Sequence, residues 1–312
     1  MDVSPKGEGL FRLTVSDVVS PSYFVATAAV ALGSFRGEGL DVELVPAPPD
    51  GSQALLDGEV DFIGGSPYIA LSAFTGWREG RILCALAHHT YWFLALRADI
   101  PARRGDLSVL KGLRISAAPA PGMALKHLLT QAGLDLDRDN IRIVPTPHHE
   151  SGNWAWDGVR AIQEDLADAY WGNGMRAALG VRHGLVRILL DVRRGDGPAA
   201  ARRYTFPALV ATSGFLSEHA DAAAGAVRAI VKTQLALRAD PNIAAEVGRS
   251  LFPEEEARLI SNQVAHDSRY YKPQITREMM RGATLFAREL GLLSGDVPYE
   301  EIVALQFADL WR

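Results

Sequence analysis

The chain has 312 residues, 48% of them apolar and 22% charged, with a formal net charge of −5 at pH 7. That balance is the one of a soluble globular protein, long enough for two lobes, and acids scattered among its arginines leave no basic stripe for a nucleic acid. No apolar run reaches the about 20 residues of a membrane span, and a single cysteine, Cys84, excludes an intrachain disulfide or a zinc site built on several thiolates.

Leu10–Val15 reads as a short apolar strand that runs into a polar turn, Ser16–Ser22, and then a small-residue helix ending near Gly33. Phe35–Leu44 turns the chain into a second strand, and another helix leads to a third strand closing at Gly58–Ser66. This βαβαβ opening predicts an open parallel sheet, in which ligands sit outside the carboxyl ends of the strands. The Ser16–Tyr23 and Gly64–Tyr68 loops fall there. Their candidate ligand contacts are Ser16, Asp17, Ser20, Ser22, Tyr23, Ser66 and Tyr68. Hydroxyls and free amides ahead of a helix suit an anionic group; plain helix capping by Ser20 or Ser22 is the alternative.

Ile82–Leu86 is expected to be a buried strand with Cys84 as a small core residue. His88–Trp92 reads as a strand end, where adjacent histidines face opposite ways, so a shared metal is awkward. His89, with Tyr91, is a cleft candidate as hydrogen-bond donor or acid/base, against ordinary packing. Phe93–Arg97 is a compact strand. Asp106–Ser116 reads as a helical turn, a break at Gly112 and a new strand. Ala118–Gly122 reads as a turn before a helix that starts at Met123 and stops at Gly133. Such a turn exposes the first helical amides, which makes Pro121 and Gly122 candidate anion contacts, against a plain turn.

Ile141–Val144 is the next strand, followed by a loop, Pro145–Gly158, of a length usually reserved for function or disorder. His149 and Trp154 are candidate ligand contacts there. The loop's histidines and Glu150 match no zinc signature, so no metal is expected. Val159–Leu166 reads as a helix and Ala167–Trp171 as a strand; Trp171 suits a flat ring and Asn173 its polar substituents, with core aromatics ahead of a turn as the alternative. Tyr204–Ser213 carries the chain back. Val227, Ile230, Val231 and Leu235 recur at helical spacing up to Asp240-Pro241, and further helices are expected over Glu254–Val264, Thr276–Leu290 and Tyr299–Leu310.

Gly33–Val45 (GSFRGEGLDVELV), Leu55–Pro67 (LLDGEVDFIGGSP) and the closing Gly291–Phe307 segment (GLLSGDVPYEEIVALQF) resemble the solute-binding proteins of ABC importers for sulfonates, nitrate and thiamine pyrimidines. The related thiamine pyrimidine synthases and an aromatic sulfinate desulfinase share that fold. The resemblance implies an α/β protein with the two-lobed type II periplasmic-binding-protein fold, each lobe a mixed, mostly parallel sheet flanked by helices, with the ligand cleft at the hinge. It implies lobe 1 over residues 1–96 and 207–312 and lobe 2 over 97–206, and it places an aromatic residue over the cleft near Tyr170 and Trp171. At the position approximately matching the desulfinase's nucleophilic cysteine stands Val18. The synthases' later cysteines and the histidine after their third strand are absent too, since Ser66–Ala70 contains no histidine. Neither chemistry is expected here.

The expected function is a solute-binding protein that closes on a small aromatic or heteroaromatic anion, with an ABC permease as partner and no cofactor. The alternative is a cytoplasmic decarboxylase, lyase or hydrolase of a small aromatic acid, its acid/base drawn from His89, His149, Glu150 or Asp17. Met1–Gly7 does not read as a signal peptide. A native start at Met1 implies the cytoplasm, and a signal removed ahead of it implies the periplasm.

Overall fold

Short apolar runs, rich in Val, Ile and Leu, pair into two sheets in the computed structural model, which describes residues 9–18, 20–48, 50–68, 79–147 and 157–312. The strands are β1 Leu10–Val15, β2 Asp41–Leu44, β3 Phe62–Gly65, β4 Gly80–Ala85, β5 Phe93–Arg97, β6 Arg114–Ala117, β7 Arg142–Pro145, β8 Ala169–Gly172, β9 Val186–Asp191 and β10 Ala208–Thr212. The α-helices are α1 Phe24–Ala31, α2 Gly51–Leu56, α3 Pro119–Gln131, α4 Asp157–Gln163, α5 Gly174–Arg182, α6 Ser213–Glu218, α7 Ala220–Ala239, α8 Ile243–Leu251, α9 Glu254–Asp267, α10 Arg277–Glu289 and α11 Tyr299–Ile302.

One sheet has the order β2-β1-β3-β10-β4 and the other β7-β6-β8-β5-β9. In each, three strands run parallel and the fourth runs antiparallel to both its neighbours. The antiparallel strands, β5 and β10, are the ones that follow each passage from one sheet to the other. Both carry a register shift, at Leu94/Ala95 and at Leu209/Val210, as bulges do where a strand is redirected. This is the expected α/β two-lobed architecture.

Two chain passages join the sheets and are hydrogen-bonded to each other. Leu86 N–H donates to Pro207 O at 2.8 Å, Thr90 N–H to Arg202 O at 3.1 Å, and Val192 N–H to Trp92 O at 3.2 Å. A paired hinge of this kind bends about few torsions while keeping its backbone groups satisfied. The carboxyl-terminal segment lies along the outer edge of β4. There Ala85 N–H donates to Pro273 O, Ala304 N–H to Ile82 O at 3.0 Å, and the Trp311 indole to Leu83 O at 3.0 Å. α9 packs against α8 and also against α5 of the second layer.

Several elements depart from the sequence expectation. α3 begins at Pro119 rather than Met123, because proline's fixed φ and missing N–H suit a first helical turn. α5 and β9 add a helix and an edge strand that the sequence pattern does not announce. The expected helix Tyr299–Leu310 stops at Ile302, where Val303 forms a parallel bridge with Ile82 on the edge of β4, and resumes as a 3₁₀ turn over Leu305–Leu310. Cys84 is fully buried, as expected.

Candidate functional site

The carboxyl ends of β1, β3, β6 and β8 carry loops that meet between the two sheets. From β1, the turn Asp17–Tyr23 is held by Ser20 N–H to Asp17 O and Tyr23 N–H to Ser20 O, both 3.1 Å. From β8, Asn173 caps α5, its Oδ1 accepting the Met175 and Arg176 amides at 3.0 and 3.2 Å. The Asn173 amide then donates to the Asp17 carboxylate, a direct bond from one lobe's loop to the other's.

A row of aromatic rings runs across the same junction. Tyr23 and Tyr91 share a hydrogen bond between their hydroxyls, with centroids 5.4 Å apart. Tyr91 meets Trp92 at 5.7 Å, and Trp92 meets Trp171 at 5.7 Å. All four are buried. The Trp171 indole donates to Pro121 O at 2.9 Å, tying β8 to the first turn of α3. Burial raises the Tyr91 phenol to about 12 and the Tyr23 phenol well above its ordinary range, Tyr91 and Asp17 adding to the second shift. Both phenols are therefore neutral donors.

Behind Asn173 lies Arg176, one turn into α5. Its Nε is buried and has no hydrogen-bond partner among the described residues. Burial pulls its pKa down, but Tyr170, Asp17 and Asp157 outweigh that and leave it raised. Tyr170 lies flat across two glycines: a Cβ at Gly172 would stand 1.6 Å from its hydroxyl, and one at Gly158 2.2 Å from its ring. The adjacent residues Tyr170 and Trp171 thus face opposite sides of β8, Tyr170 towards Arg176 and Trp171 towards Trp92.

The third wall is the β3 loop. Ser66 Oγ lies 3.0 Å from Thr205 Oγ1 and accepts the Tyr68 amide at 3.2 Å. Tyr68 leans on Phe286, which stacks on Tyr204 at 4.1 Å and 7°. α3 offers less to an anion than its sequence suggests. Pro119 and Pro121 carry no N–H, and the Gly122 amide bonds to Ala118 O at 2.7 Å, which leaves the Ala120 amide.

Of the sequence candidates, the structure gathers Asp17, Tyr23, Tyr91, Trp171 and Asn173 into this junction. Ser20 is buried there with its hydroxyl unpartnered among the described residues, while Ser22 accepts from Arg193 at 2.9 Å. Ser16 is exposed at its rim. His149, Glu150 and Trp154 lie outside the described residues.

His89 lies elsewhere. β4 ends at Ala85, and His89 takes φ +68°, so strand alternation does not apply: both histidines face one recess, their rings 5.9 Å apart edge to face. Burial, then Arg202, His88, Arg193 and Lys272, lower the His89 imidazole to about 4.

Sequence reasoning missed Arg176, Trp92 and Arg193. Asn173 as a helix cap held the signal for Arg176, because the third residue of a helix faces its cap. Arg193 gave none: its partners are 74 and 171 residues away, Asp267 at 2.6 Å and Ser22.

The sequence profile of the family described as NMT1/THI5 like matches residues 20–244. The chain belongs to the NMT1/THI5-like family. No curated protein sequence matches it. Among solved structures, it is similar to the alkanesulfonate-binding protein SsuA from Xanthomonas axonopodis pv. citri bound to MOPS, with TM-score 0.70 and 14% identity over 96% of this chain and 99% of that one. It is similar to the periplasmic nitrate-binding protein NrtA from Synechocystis PCC 6803, with TM-score 0.68 and 13% identity over 97% and 87%. The desulfurization enzyme DSZB has the same fold, with TM-score 0.67 and 15% identity over 96% and 98%. At such identities the likeness shows the fold.

Proposed function

We propose that this protein is a solute-binding protein whose two lobes close on a small anion carrying a flat ring, for delivery to an ABC permease outside the cytoplasm. The observation that carries this reading is Arg176, a guanidinium whose buried Nε has no hydrogen-bond partner among the described residues, one helical turn behind the Asn173–Asp17 bond where the two lobes meet. A carboxylate or sulfonate would engage the free Nε edge of Arg176, with bidentate geometry available to it. One O–H of the Tyr23–Tyr91 pair would donate from one side, Trp92 and Trp171 would stack on the ring, and Ser20, Asn173, Ser66 and Tyr68 would set its orientation. His149 and Trp154 would approach from the Pro145–Gly158 loop. The names of the sulfonate- and nitrate-binding neighbours support an anionic ligand. Catalysis draws little support from this geometry: Cys84 is buried with its thiol pKa pushed up, and His89 stands outside the junction.

The test is calorimetric titration with benzoate, benzenesulfonate, their ring-only analogues and nitrate, each hit being recovered for mass spectrometry. At least one aromatic anion binds saturably and returns unchanged, and Arg176→Gln weakens it by about 10-fold or more, the worth of one charge-assisted hydrogen bond. Recovery of a product would replace this reading with an enzyme. Equal affinity in wild type and Arg176→Gln would remove Arg176 from the site.

A further inference from the structure

The outer flank of the hinge carries a second concavity, of about 470 Å³, lined by His88, His89, Arg194, Arg202, Arg269, Tyr270 and Lys272. It is separate from the inter-lobe junction. His88 N–H donates to Tyr270 O at 2.8 Å and its Nε2 to Gln274 O at 2.8 Å, which places the recess beyond the edge of β4 that faces away from β10. In a chain of net charge −5, its lining contains four permanent cations and, among the described residues, no carboxylate.

Most of that charge is unneutralised. Among the described residues no carboxylate pairs with Arg202, Arg269 or Lys272: Arg202 Nε donates to Arg193 O at 3.0 Å, and Arg269 lies over the Tyr270 ring at 4.8 Å. Arg194 alone has an acidic partner, Asp191 at 3.3 Å. Like charges held around one concavity repel one another in the empty protein. The lowered pKa of both histidines is a local reading of that positive field as well as of burial. Three separate chain segments contribute: the first hinge passage supplies the histidines, the second Arg194 and Arg202, and the 3₁₀ turn Ser268–Tyr270 with Lys272 the rest.

We infer that this recess is a second binding site, for a small polyphosphate-type anion whose several charged oxygens engage Arg202, Arg269, Arg194 and Lys272 together. Guanidinium groups grip phosphate oxygens in pairs, and an ammonium adds a point charge. The volume is more than one orthophosphate needs, which favours a linked di- or triphosphate. Because both hinge passages line the recess, an anion seated there bridges them and biases the lobe motion that opens the junction. The inference does not depend on what the inter-lobe junction binds.

The experiment is titration of the whole protein with inorganic pyrophosphate, tripolyphosphate and orthophosphate at constant ionic strength, read by calorimetry. Tripolyphosphate and pyrophosphate bind saturably and more tightly than orthophosphate. Arg269→Glu with Lys272→Glu, both exposed, weakens them by about 10-fold to 100-fold, the range for losing charge-assisted hydrogen bonds. Arg202→Gln weakens them too, and a matching melting profile without ligand separates lost binding from lost fold. Absence of saturable heat at millimolar pyrophosphate would overturn the site. So would unchanged affinity in the charge-reversed variant, or equal binding of all three anions, which is the mark of nonspecific attraction.

Discussion

The hinge presents opposite chemistry on its two sides, and the change takes only a few residues. His88 and His89 turn outward into a recess lined by four cations, whereas Tyr91 and Trp92 turn inward to buried rings. On the inner side most of the charge is paired or hydrogen-bonded: Asp17 with Asn173, and Arg193 with Asp267 and Ser22. Desolvation explains the division. An unpaired charge in the interior costs several kcal/mol, while the same charge on the surface costs little. The inner side therefore pairs most of its charge and leaves the Nε of Arg176 for a ligand, whereas the outer side can keep several cations available at once.

The largest effect tests the inner pairing. Arg193 is 2% exposed and Asp267 5%. Burial alone would raise the Asp267 carboxyl, but Arg193 and the His266 ring outweigh it and hold it below the usual range. Arg193→Met strands that carboxylate, so unfolding stability falls by about 3–5 kcal/mol in urea titration. Adding Asp267→Leu removes the stranded charge and recovers part of the loss. A single-variant loss below about 1 kcal/mol would show that water reaches the pair and would erase the contrast between the two sides.

A smaller effect tests the packing beneath Arg176. Gly172→Ala drives a methyl into the Tyr170 hydroxyl and costs about 1–3 kcal/mol, read as a lower urea midpoint. The same change in a Tyr170→Ala background costs less, because the clashing ring is gone. If the two effects add without coupling, Tyr170 does not depend on the glycine, and Arg176 is held by something else.

Much of this fold could be read in the sequence, and far less of the site. The βαβαβ opening shows because each strand is apolar and each turn polar, and Asp17 and Tyr23 become candidates because parallel sheets fix where ligand loops fall. Three features hid the rest. Prolines at 119 and 121 read as a turn although the first of them opens a helix. At His88-His89 the strand alternation that the sequence suggests is cancelled by one positive φ. Arg193 and Asp267 meet only through the tertiary fold, so no local pattern announces either. The basic recess is likewise assembled from three distant segments, and composition averages it away within an acidic chain.

The smallest effect tests the outer side through pH. His89 sits at about 4 in the folded chain against an ordinary 6.5, through burial first and then Arg202, His88, Arg193 and Lys272. Between those pH values the unfolded chain holds a proton that the folded chain refuses, so stability falls as pH drops from 6.5 towards 4. One proton of difference gives at most about 1.4 kcal/mol per pH unit. His89 is partly exposed, so solvent screening reduces this to about 1 kcal/mol or less. His89→Asn tests it cleanly, because asparagine tolerates the left-handed backbone that φ +68° demands. The variant's melting temperature declines less steeply over this window, with His88, also lowered, keeping part of the slope. Pyrophosphate flattens the wild-type profile in the same direction, since an anion among those cations favours the protonated imidazole. A wild type and His89→Asn that melt in parallel across the window would mean that the outer cations exert no field on the ring, and the two sides of the hinge would then differ in shape alone.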